Sequence, residues 1–567
     1  MALSLALLGG LVCAPSQEVA GDPVEDVVSP TALPSPPARA PAPTATGHCP
    51  ALDPAVGPTI TVSNVQELVD AVNTATTGDT ILVADGTYAL NGAYLRFAVP
   101  GVTLRSASGD RDGVVLEGDY VTTEIVQIVA SNVTIADLTL REAYNHPIHI
   151  MSSSGADVTG TLIYNVHIID PRQQAIKINP YTAADALYFP DAGIVACSHI
   201  ELTDAGRPQV DQSSTPCYTG GIDAHQARDW VIRDNVIEGF WCPTGLSEHA
   251  IHLWRSCRDT LVERNELRNN ARGIGFGMAT SGSGIRTYAD DPCPAAGGGY
   301  VDHYGGIIRN NVVFANDGEL FGSDSGLDCG ICLWNACGAR VLHNTVASTA
   351  APVSSIEWRF EYTDVDLSNN LVSHSLWDRG GSADLSGNLE GQPLSLFVDG
   401  PGGDLHLAPS ATAAIDQVAL PADVTDDFDG DLRPVGSAAD VGADEVVVST
   451  PAPVTDLRVR RAVTDSTTLT ATLTWKPPVG VVTATLRTTT TRITAENWAG
   501  ATLLTDTLPG GRGVFTAAVP YHGDRVYFAH RWQDAAGAWS DLSNNAFWPV
   551  RTAFLPLVLR SFGPLRQ

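Results

Sequence analysis

Basic residues are scarce in this chain. Its 567 residues include 33 Lys and Arg against 63 Asp and Glu, which gives a formal net charge of −30 at pH 7. Proteins that bind nucleic acid use positive charge to neutralise its phosphates. We therefore expect no nucleic-acid partner.

Long apolar segments are missing too, apart from one short run at the start. Residues 1–12, MALSLALLGGLV, are apolar but too short to span a bilayer, and such a run is typical of a secretion leader. We expect a leader over residues 1–20 and a Pro-, Ala- and Thr-rich linker over residues 21–50. The protein should therefore be secreted or held at the cell surface, with no transmembrane span. A lipid anchor on Cys13 is disfavoured because Val12 is bulkier than such sites usually allow.

Seven copies of one short string recur along the chain. The strings are HPIHIMS, QAIKINP, GGIDAHQ, HAIHLWR, RGIGFGM, CGICLWN and SSIEWRF. Each carries an isoleucine and, two residues later, a second apolar residue, and this period of two is typical of a β-strand with one buried face. The residue between the two apolar positions faces the other way. We call these residues the central row: His149, Lys177, Asp223, His252, Gly275, Cys332 and Glu357.

An asparagine marks a corner after a further apolar pair in most copies. The marked positions are Asn235, Asn265, Asn311, Asn344 and Asn370, and we expect Asp137 to play the same part. Asparagine tolerates the left-handed backbone of a tight corner, and its amide can bond the same residue one coil away. Four of the six intervals between copies span 23 to 29 residues, too few to bury a core alone. The copies should therefore stack into a parallel β-helix.

Residues 59–445 resemble the pectate-lyase-like right-handed parallel β-helix proteins of bacteria. The opening, SNVQELVDAVNTATTGDTILVADGTY, is similar to the N-terminal cap of polysaccharide lyases in that group. Its pattern fits a helix that plugs the solenoid, with a capping box at Ser63 and Gln66 and a first strand TILVA. The resemblance implies an all-β fold. It does not choose among lyases, hydrolases, epimerases and non-catalytic adhesins, all of which use this fold.

The last hundred residues have a different pattern. After a linker over residues 446–454, residues 455–549 alternate in short strands and resemble a fibronectin type III domain, with Trp475 and Tyr527 as the aromatic residues packed between two sheets. The resemblance implies a spacer or wall-associated module without catalysis. Residues 550–567 form a C-terminal tail, either a sorting signal or one more edge strand.

Ten cysteines fit an exported protein that forms disulfides. Nine lie outside the leader, so at least one is unpaired or paired elsewhere. Cys329 and Cys332 have the spacing of half a zinc site, but no second Cys pair or His pair follows in register. Disulfides that pin inserted loops are therefore favoured over zinc, and the sequence leaves their pairing open.

The central row places ionisable residues on consecutive coils, a pattern that concentrates at functional sites. The next outward position on each strand, the flanking row, reads Met151, Asn179, His225, Trp254, Gly277, Trp334 and Arg359. The catalytic candidates are Lys177, Asp223, His225 and His252, and the candidates for substrate binding are His149, Asn179, Trp254, Arg255 and Trp334. Gly275 and Gly277 should leave room for a ligand. The adjacency of Lys177 and Asp223 depends on strand register across a 46-residue gap.

This set suits β-elimination or C5-epimerisation of a uronide in a polysaccharide. Both reactions need a base for the proton beside the carboxylate and a cation to neutralise that carboxylate. Lys177 or His252 would be the base, and His225 or Arg255 would hold the acid group. Asp223 would orient an imidazole or hold a calcium ion. Hydrolysis needs two carboxylates astride the bond, and the row offers only Asp223 centrally.

Two further alternatives stay open. The run DDFDGDLRP, with Asp426, Asp427, Asp429 and Asp431, has oxygen ligands for calcium, although a solvated turn is favoured. The β-helix could also be a non-catalytic surface protein that binds glycans or scaffolds the envelope. An enzyme predicts that the catalytic candidates converge in one groove, whereas a scaffold predicts that they scatter or are covered.

Overall fold

A computed structural model of the chain describes residues 49–548, apart from residues 154, 184–185, 214–215, 279, 283–285, 448–451, 465–466, 479–481, 510–512, 523 and 535–537. The predicted leader, its Cys13, most of the first linker and the C-terminal tail lie outside the described residues. Almost all regular structure is β, and the longest sheets are parallel.

Three parallel sheets run along residues 59–386. The first contains Thr59–Val62, Thr80–Val83, Thr103–Ser106, Thr134–Ala136, Leu162–Tyr164, Ile194–Ala196, Val231–Arg233, Cys257–Arg258, Leu261–Glu263, His303–Tyr304, Ile307–Arg309, Ala336–Leu342, Asp364–Ser368 and Ser382–Ser386. The second contains Leu95–Phe97, Glu124–Ile128, His146–Met151, Gln174–Asn179, Gly220–His225, Ile251–Trp254, Arg272–Phe276, Cys329–Trp334, Ser354–Arg359 and Leu376–Arg379. The third contains Gly86–Ala89, Val114–Glu117, Thr139–Arg141, His167–Ile169, His199–Glu201, Val236–Glu238, Glu266–Arg268, Val312–Ala315, Thr345–Ser348 and Leu371–Val372.

The three sheets enclose one continuous apolar core, and the chain is a parallel β-helix as predicted. Most coils contribute one strand to each sheet, so neighbours in a sheet come from successive coils, and two coils add a second short strand to the first sheet, Cys257–Arg258 and His303–Tyr304. The isoleucines of the seven strings are all fully buried: Ile148, Ile176, Ile222, Ile251, Ile274, Ile331 and Ile356. Each fully buried side chain of this size contributes about 1.5–3 kcal/mol to folding, which makes the apolar half of the string the source of the stacking.

An asparagine ladder runs along one corner of the coils. The side-chain amide of Asn235 donates to Oδ1 of Asn265 at 2.9 Å, and the pattern repeats at each following coil. The ladder comprises Asn235, Asn265, Asn311, Asn344, Asn370 and Asn388. The predicted contact between coils is confirmed, and Asn388 extends it beyond the predicted set.

The left-handed corner residue, however, is the one before each ladder asparagine. Asp234 has φ +57° and Arg264 has φ +51°, whereas the asparagines themselves have no positive φ. Asp137 has both features that were predicted for it, a left-handed backbone with φ +55° and a contact one coil away, where it accepts from Asn165. It lies at the corner position, one residue before the position that the ladder asparagines occupy.

A short helix, Val65–Thr74, closes the N-terminal end of the core. It buries Leu68, Ala71 and Val72. Its cap differs from the predicted box by one residue, because Asn64 accepts from the backbone N–H of Glu67 while Glu67 accepts from Ser63. The predicted first strand TILVA is the second strand, since Thr59–Val62 pairs with Thr80–Val83.

Residues 387–447 follow the last parallel strand and form an irregular cap. It contains the 3₁₀ turns Leu394–Leu396 and Gly400–Gly402 and the antiparallel strands Phe397–Asp399 and Asp404–Leu407, and its apolar residues pack on Phe314 and Leu371. The calcium candidates of this region do not face solvent as a set. Asp427 is fully buried and accepts from the backbone N–H groups of Asp431 and Glu445. A carboxylate committed to two N–H donors stabilises the turn.

Smaller elements interrupt the coils. They are the helix Gly318–Gly322, the 3₁₀ turns Arg207–Gln209 and Pro294–Ala296, the parallel pair Val158–Thr159 with Pro190–Asp191, and the hairpin Tyr181–Ala183 with Ala186–Tyr188. None of the helices among the described residues is long and apolar enough to cross a bilayer.

The C-terminal strands form two antiparallel sheets. One contains Arg458–Thr464, Thr468–Thr474 and Val514–Pro520, and the other contains Thr483–Thr489, Thr502–Pro509, Val526–Gln533 and Ala546–Trp548. Trp475 and Trp532 lie in their shared apolar core, while Tyr527 belongs to a separate small cluster. The fibronectin type III assignment of this segment stays a prediction.

Four disulfides tie the described chain. They join Cys49 to Cys197, Cys217 to Cys242, Cys293 to Cys337 and Cys329 to Cys332. Cys257 is the free cysteine of the described residues, and its burial raises the pKa of its thiol. The preference for disulfides over zinc at Cys329 and Cys332 agrees with this pairing.

Candidate functional site

The central row keeps register through every coil. His149 pairs with Lys177, Lys177 with Asp223 across the 46-residue gap, and Asp223 with His252. The row continues through Gly275, Cys332 and Glu357. The adjacency on which the site depended is therefore present on the outer face of the second sheet.

Lys177, Asp223 and His225 meet in one cluster. The ammonium group of Lys177 forms an ion pair with Oδ2 of Asp223. Nε2 of His225 lies 3.4 Å from the same oxygen and 3.3 Å from Nζ of Lys177. Oδ1 of Asp223 accepts from Nε1 of Trp254 at 2.8 Å. Both carboxylate oxygens of Asp223 are thus held by donors from three coils.

Burial and charge set the protonation states of this cluster. Burial opposes a charged Asp223, yet the neighbouring Lys177 and His225 hold the pKa of its carboxyl well below the usual range. Burial alone would lower the pKa of Lys177, but the Asp223 carboxylate outweighs it and raises that pKa. Burial lowers the pKa of His225 in spite of Asp223. At neutral pH the cluster therefore holds an ionised Lys–Asp pair beside a neutral imidazole.

A third row, three residues before the central row, was missed in the sequence. Its members are the first letters of the seven strings: His146, Gln174, Gly220, His249, Arg272, Cys329 and Ser354. They contact the central row in several coils, as in the His249–His252 ring pair at 4.3 Å and the Ser354–Glu357 hydrogen bond at 2.7 Å. The strings themselves carried this signal, because their first position also varies while the isoleucine does not.

His252 lies in the centre of a stack of rings. Its imidazole is parallel to Trp254 at 5.2 Å, with His249 on another side. Its Nδ1 lies 3.6 Å from Oδ1 of Asp223 and 3.4 Å from Oε2 of Glu248. His252 is fully buried, so it supports its neighbours and does not face solvent.

The gap expected at the glycines is filled by protein. A Cβ at Gly275 would lie 2.6 Å from Nε2 of His249, and a Cβ at Gly277 would lie 1.9 Å from the carbonyl oxygen of Trp334. Gly275 therefore accommodates the His249 ring, and the two glycines do not open a ligand pocket. His249 is fully buried, and burial holds its pKa well below the usual range.

The substrate-binding candidates divide into two groups by position. His149, two coils before Asp223, bonds Glu124 at 2.6 Å, and Asn179, one coil before Asp223, donates to Nε2 of His149 at 3.3 Å. Arg255 follows Trp254, with its guanidinium 5.8 Å from the indole ring, and its charge helps to lower the pKa of His225. These residues surround the cluster.

Trp334 lies away from the cluster of Lys177, Asp223 and His225. It lies two coils beyond Trp254, is 4% exposed, and donates to Oε1 of Glu357 at 2.6 Å. Arg379 also bonds Glu357, at 2.8 Å. Trp334 is therefore part of a covered polar group and offers no open face to a sugar ring.

The members of the cluster differ in their exposure to solvent. Lys177 and Asp223 are 4% and 3% exposed, whereas His225, Trp254 and Arg255 are half-buried. A ligand on this face would meet the second set first. The four catalytic candidates thus converge as expected of an enzyme, while three of them are covered as expected of a scaffold.

The surroundings of Asp223 do not fit calcium. Calcium takes six to eight oxygen ligands, whereas the groups around Asp223 are the nitrogen donors of Lys177, His225 and Trp254. Glu248, His249 and His252 place ligand atoms within 4.8 Å of one another. His249 also approaches Cys329 and Cys332, whose sulfurs are committed to their disulfide.

Comparisons with known proteins give structural likenesses only. No protein-family model matches the chain, and no curated protein matches it either. A pectate lyase structure is similar at 14% identity and a TM-score of 0.44, covering 66% of this chain and 90% of that chain. An alginate lyase from a Paenibacillus species has 15% identity, a TM-score of 0.36 and coverages of 58% and 97%.

A third likeness is to the tailspike protein of an E. coli bacteriophage in complex with a pentasaccharide. It has 9% identity and a TM-score of 0.40, covering 84% of this chain and 87% of that chain. Likeness at this level says nothing about the chemistry of this chain. The β-helix assignment rests on the strand pairing described above.

Proposed function

We propose that the protein is an exported carbohydrate-active enzyme, a polysaccharide lyase that cleaves a uronide by β-elimination on the outer face of the second sheet. The observation that carries this proposal is the neutral, half-buried His225 held against the ionised Lys177–Asp223 pair. The four disulfides support export, because such bonds persist in oxidising surroundings.

His225 fits the role of the base. Nε2 of His225 faces both Asp223 at 3.4 Å and the Lys177 ammonium at 3.3 Å. In the tautomer whose Nε2–H donates to Asp223, which this role requires, the lone pair of the neutral ring lies on Nδ1. A carboxylate that fixes one imidazole nitrogen leaves the other as a proton acceptor, as in hydrolytic triads. Lys177, which was expected as a base, is unsuited because Asp223 raises its pKa and keeps it protonated.

Arg255 and Trp254 fit the binding of the uronide. Arg255 is a half-buried cation close enough to affect the pKa of His225, so it suits a carboxylate attached to the carbon that loses its proton. Trp254 is half-buried beside His225, with ring centroids 4.7 Å apart, and offers apolar surface to a sugar. In this reaction His225 takes the C5 proton, the C4–O bond breaks and a C4–C5 double bond forms, and the departing oxygen takes a proton from water to leave as an alcohol.

A uronide epimerase would use the same base and the same cation. It would return a proton to the opposite face of C5 and leave the chain uncut, so the product distinguishes the two reactions. A hydrolase is less well supported. Asp223 and Glu248 both approach His252, but Asp223 is buried and its oxygens are held by donors, which leaves it unable to act as an acid beside a scissile bond.

A non-catalytic glycan-binding or envelope scaffold is the second candidate. The observation that favours it is the burial of Lys177, Asp223 and His252, with Lys177 and Asp223 paired to each other within the row. Such a polar ladder holds adjacent strands together without any chemistry. A scaffold would bind a glycan without changing it.

The test is a panel of uronide polymers, namely pectate, alginate and glycosaminoglycans, mixed with the full chain. We expect the ultraviolet absorbance of an unsaturated uronide to appear with at least one polymer. The His225→Ala variant should lose about 10²–10⁴-fold in rate, the usual contribution of a general base. The matched control is His374→Ala, since His374 bonds only serines on another part of the coil.

Each outcome decides between the candidates. New absorbance that depends on His225 and not on His374 supports the lyase. Unchanged chain length with exchange of the C5 proton for solvent deuterium would favour the epimerase. A polymer that binds but shows neither absorbance nor exchange would favour the scaffold.

A further inference from the structure

A second group of ligand-type side chains lies on the outer face of the third sheet, away from the central row. His167 pairs in register with His199 on the next coil. Two residues further along the strands, Glu201 pairs in register with Glu238. Because side chains alternate along a strand, these four residues point to the same side of the sheet.

The four side chains form two short contacts and one stack. Nε2 of His167 lies 2.9 Å from Oε1 of Glu201, and Nε2 of His199 lies 2.8 Å from Oε1 of Glu238. The two imidazole rings are parallel within 10°, with centroids 4.6 Å apart. Two imidazoles and two carboxylates from three coils thus share one small surface.

The spacing of the ligand atoms suits a tetrahedral metal ion. One ring nitrogen from each histidine and one carboxylate oxygen of Glu201 lie within 4.8 Å of one another. Metal–ligand bonds of about 2.0–2.1 Å place tetrahedral ligand atoms roughly 3.4 Å apart. The His167–Glu201 contact of 2.9 Å is shorter than that separation, and the three ligand atoms all lie within 4.8 Å of one another. Small side-chain rotations would therefore bring them to tetrahedral positions around an ion.

The surroundings of His167 match those of a metal-bound histidine. Its Nδ1 lies 3.5 Å from Oδ1 of Asp112, on the side of the ring opposite to Glu201. A carboxylate on the second ring nitrogen commonly fixes the orientation of a histidine ligand. The side chains of His199 and Glu201 are 9% and 8% exposed, and that of His167 is 17% exposed, so an ion could enter from solvent.

We propose that His167, His199 and Glu201 bind a divalent transition-metal ion of the zinc class, with Asp112 as the partner that orients His167. Imidazole nitrogen with carboxylate oxygen is a ligand set that zinc takes, whereas calcium requires oxygen ligands alone. Glu238 contacts Nε2 of His199 at 2.8 Å from the next coil and lies outside this group of three ligands. Bound metal would link two successive coils of the β-helix.

The test is zinc binding by the full chain after removal of metals with a chelator. Isothermal titration with zinc should show a site that weakens at least tenfold in Glu201→Gln, a variant that keeps the side-chain shape. Asp112→Asn should weaken binding by about tenfold, the effect usual for such a partner. Cobalt(II) should give the visible absorption of a tetrahedral ion, and zinc should raise the thermal midpoint of the wild type but not of Glu201→Gln.

The matched control is His406→Ala. His406 also contacts two carboxylates, with 2.6 Å to Asp404 and 2.9 Å to Asp429, and its group is the most exposed of the candidate metal-binding groups among the described residues. Zinc binding that survives His406→Ala and is lost in Glu201→Gln supports the proposal. No zinc binding at micromolar concentration, equal binding in Glu201→Gln, or calcium binding in place of zinc would overturn it.

Discussion

At the scale of single residues, the central finding is a buried lysine that stays charged. Lys177 is one of two lysines in the chain, and the other, Lys476, is exposed. Removing a charged group from water costs several kcal/mol, and Asp223 with its other donors offsets that cost. The pair also holds His225 in place, and such coupled ionisable groups concentrate at functional sites.

We expect Lys177→Met to destabilise the β-helix by about 3–5 kcal/mol, because it leaves the carboxylate of Asp223 buried without its ion-pair partner. The double variant Lys177→Met/Asp223→Leu should recover most of that loss. Urea unfolding measures both, with Lys476→Met as the control expected to stay within about 0.5 kcal/mol of the wild type. A double variant as unstable as Lys177→Met would show that the unpaired Asp223 carboxylate is not what destabilises the single variant.

The sequence predicted the members of this site better than their roles. The alternation of apolar residues at every second position predicted Lys177, Asp223 and His252 in one row, since this apolar pattern specifies the strand register. Exposure was not readable in the same way. His249 fills the space above Gly275 and helps to cover His252, and that contact depends on a loop residue whose path the strand pattern does not specify.

At the scale of elements, the asparagine ladder links successive coils by hydrogen bonds at one corner of the β-helix. Each asparagine inside the ladder both accepts from the coil before and donates to the coil after, as Asn311 does between Asn265 and Asn344. Its amide also bonds a buried backbone carbonyl, that of Val262. The sequence predicted this ladder because one residue type recurs at one position. It misplaced the left-handed corner, where residue types as different as Asp234 and Arg264 occur.

We expect Asn311→Ala to lower the free energy of unfolding by about 1–3 kcal/mol, since it leaves buried donors and an acceptor unpaired on two neighbouring coils. The control is Asn73→Ala, an exposed position on the N-terminal helix that should stay within about 0.5 kcal/mol. Denaturant unfolding measures both variants. Equal effects would show that the ladder follows from the fold and does not stabilise it.

At the scale of the whole molecule, the charge opposes the proposed substrate. The net charge of −30 repels a polyanion, and the cations near the site, such as Lys177 and Arg255, act over a short range. Salt screens the distant charges first, because the Debye length falls to about 8–10 Å at 0.1–0.15 M ionic strength.

We therefore expect kcat/KM on a polyuronide to rise between about 0.01 M and 0.15 M salt, while kcat stays nearly constant. Steady-state rates at fixed pH test this, with a neutral polysaccharide as the control whose binding should not respond. A fall in kcat/KM over the same range would mean that a local basic surface dominates the encounter.

The sequence predicted a division of the chain from composition and pattern, because repeats, linkers and alternating strands differ over tens of residues, and that division stays a prediction. The structure adds that the parallel strands end at Ser386 and that residues 387–447 form the cap around Asp427. The sequence did not predict that boundary, since the apolar residues of the cap recur with no regular spacing.

The pH dependence of the lyase rate is the most direct test of the central claim that neutral His225 is the base. Burial lowers the pKa of His225, and a base acts when deprotonated, so kcat/KM should rise with pH through an inflection below the ordinary histidine value of about 6.5 and stay level at neutral pH. The inflection should vanish in His225→Ala. An inflection on the alkaline side, where the raised pKa of Lys177 lies, or no turnover of any uronide at any pH, would contradict the account.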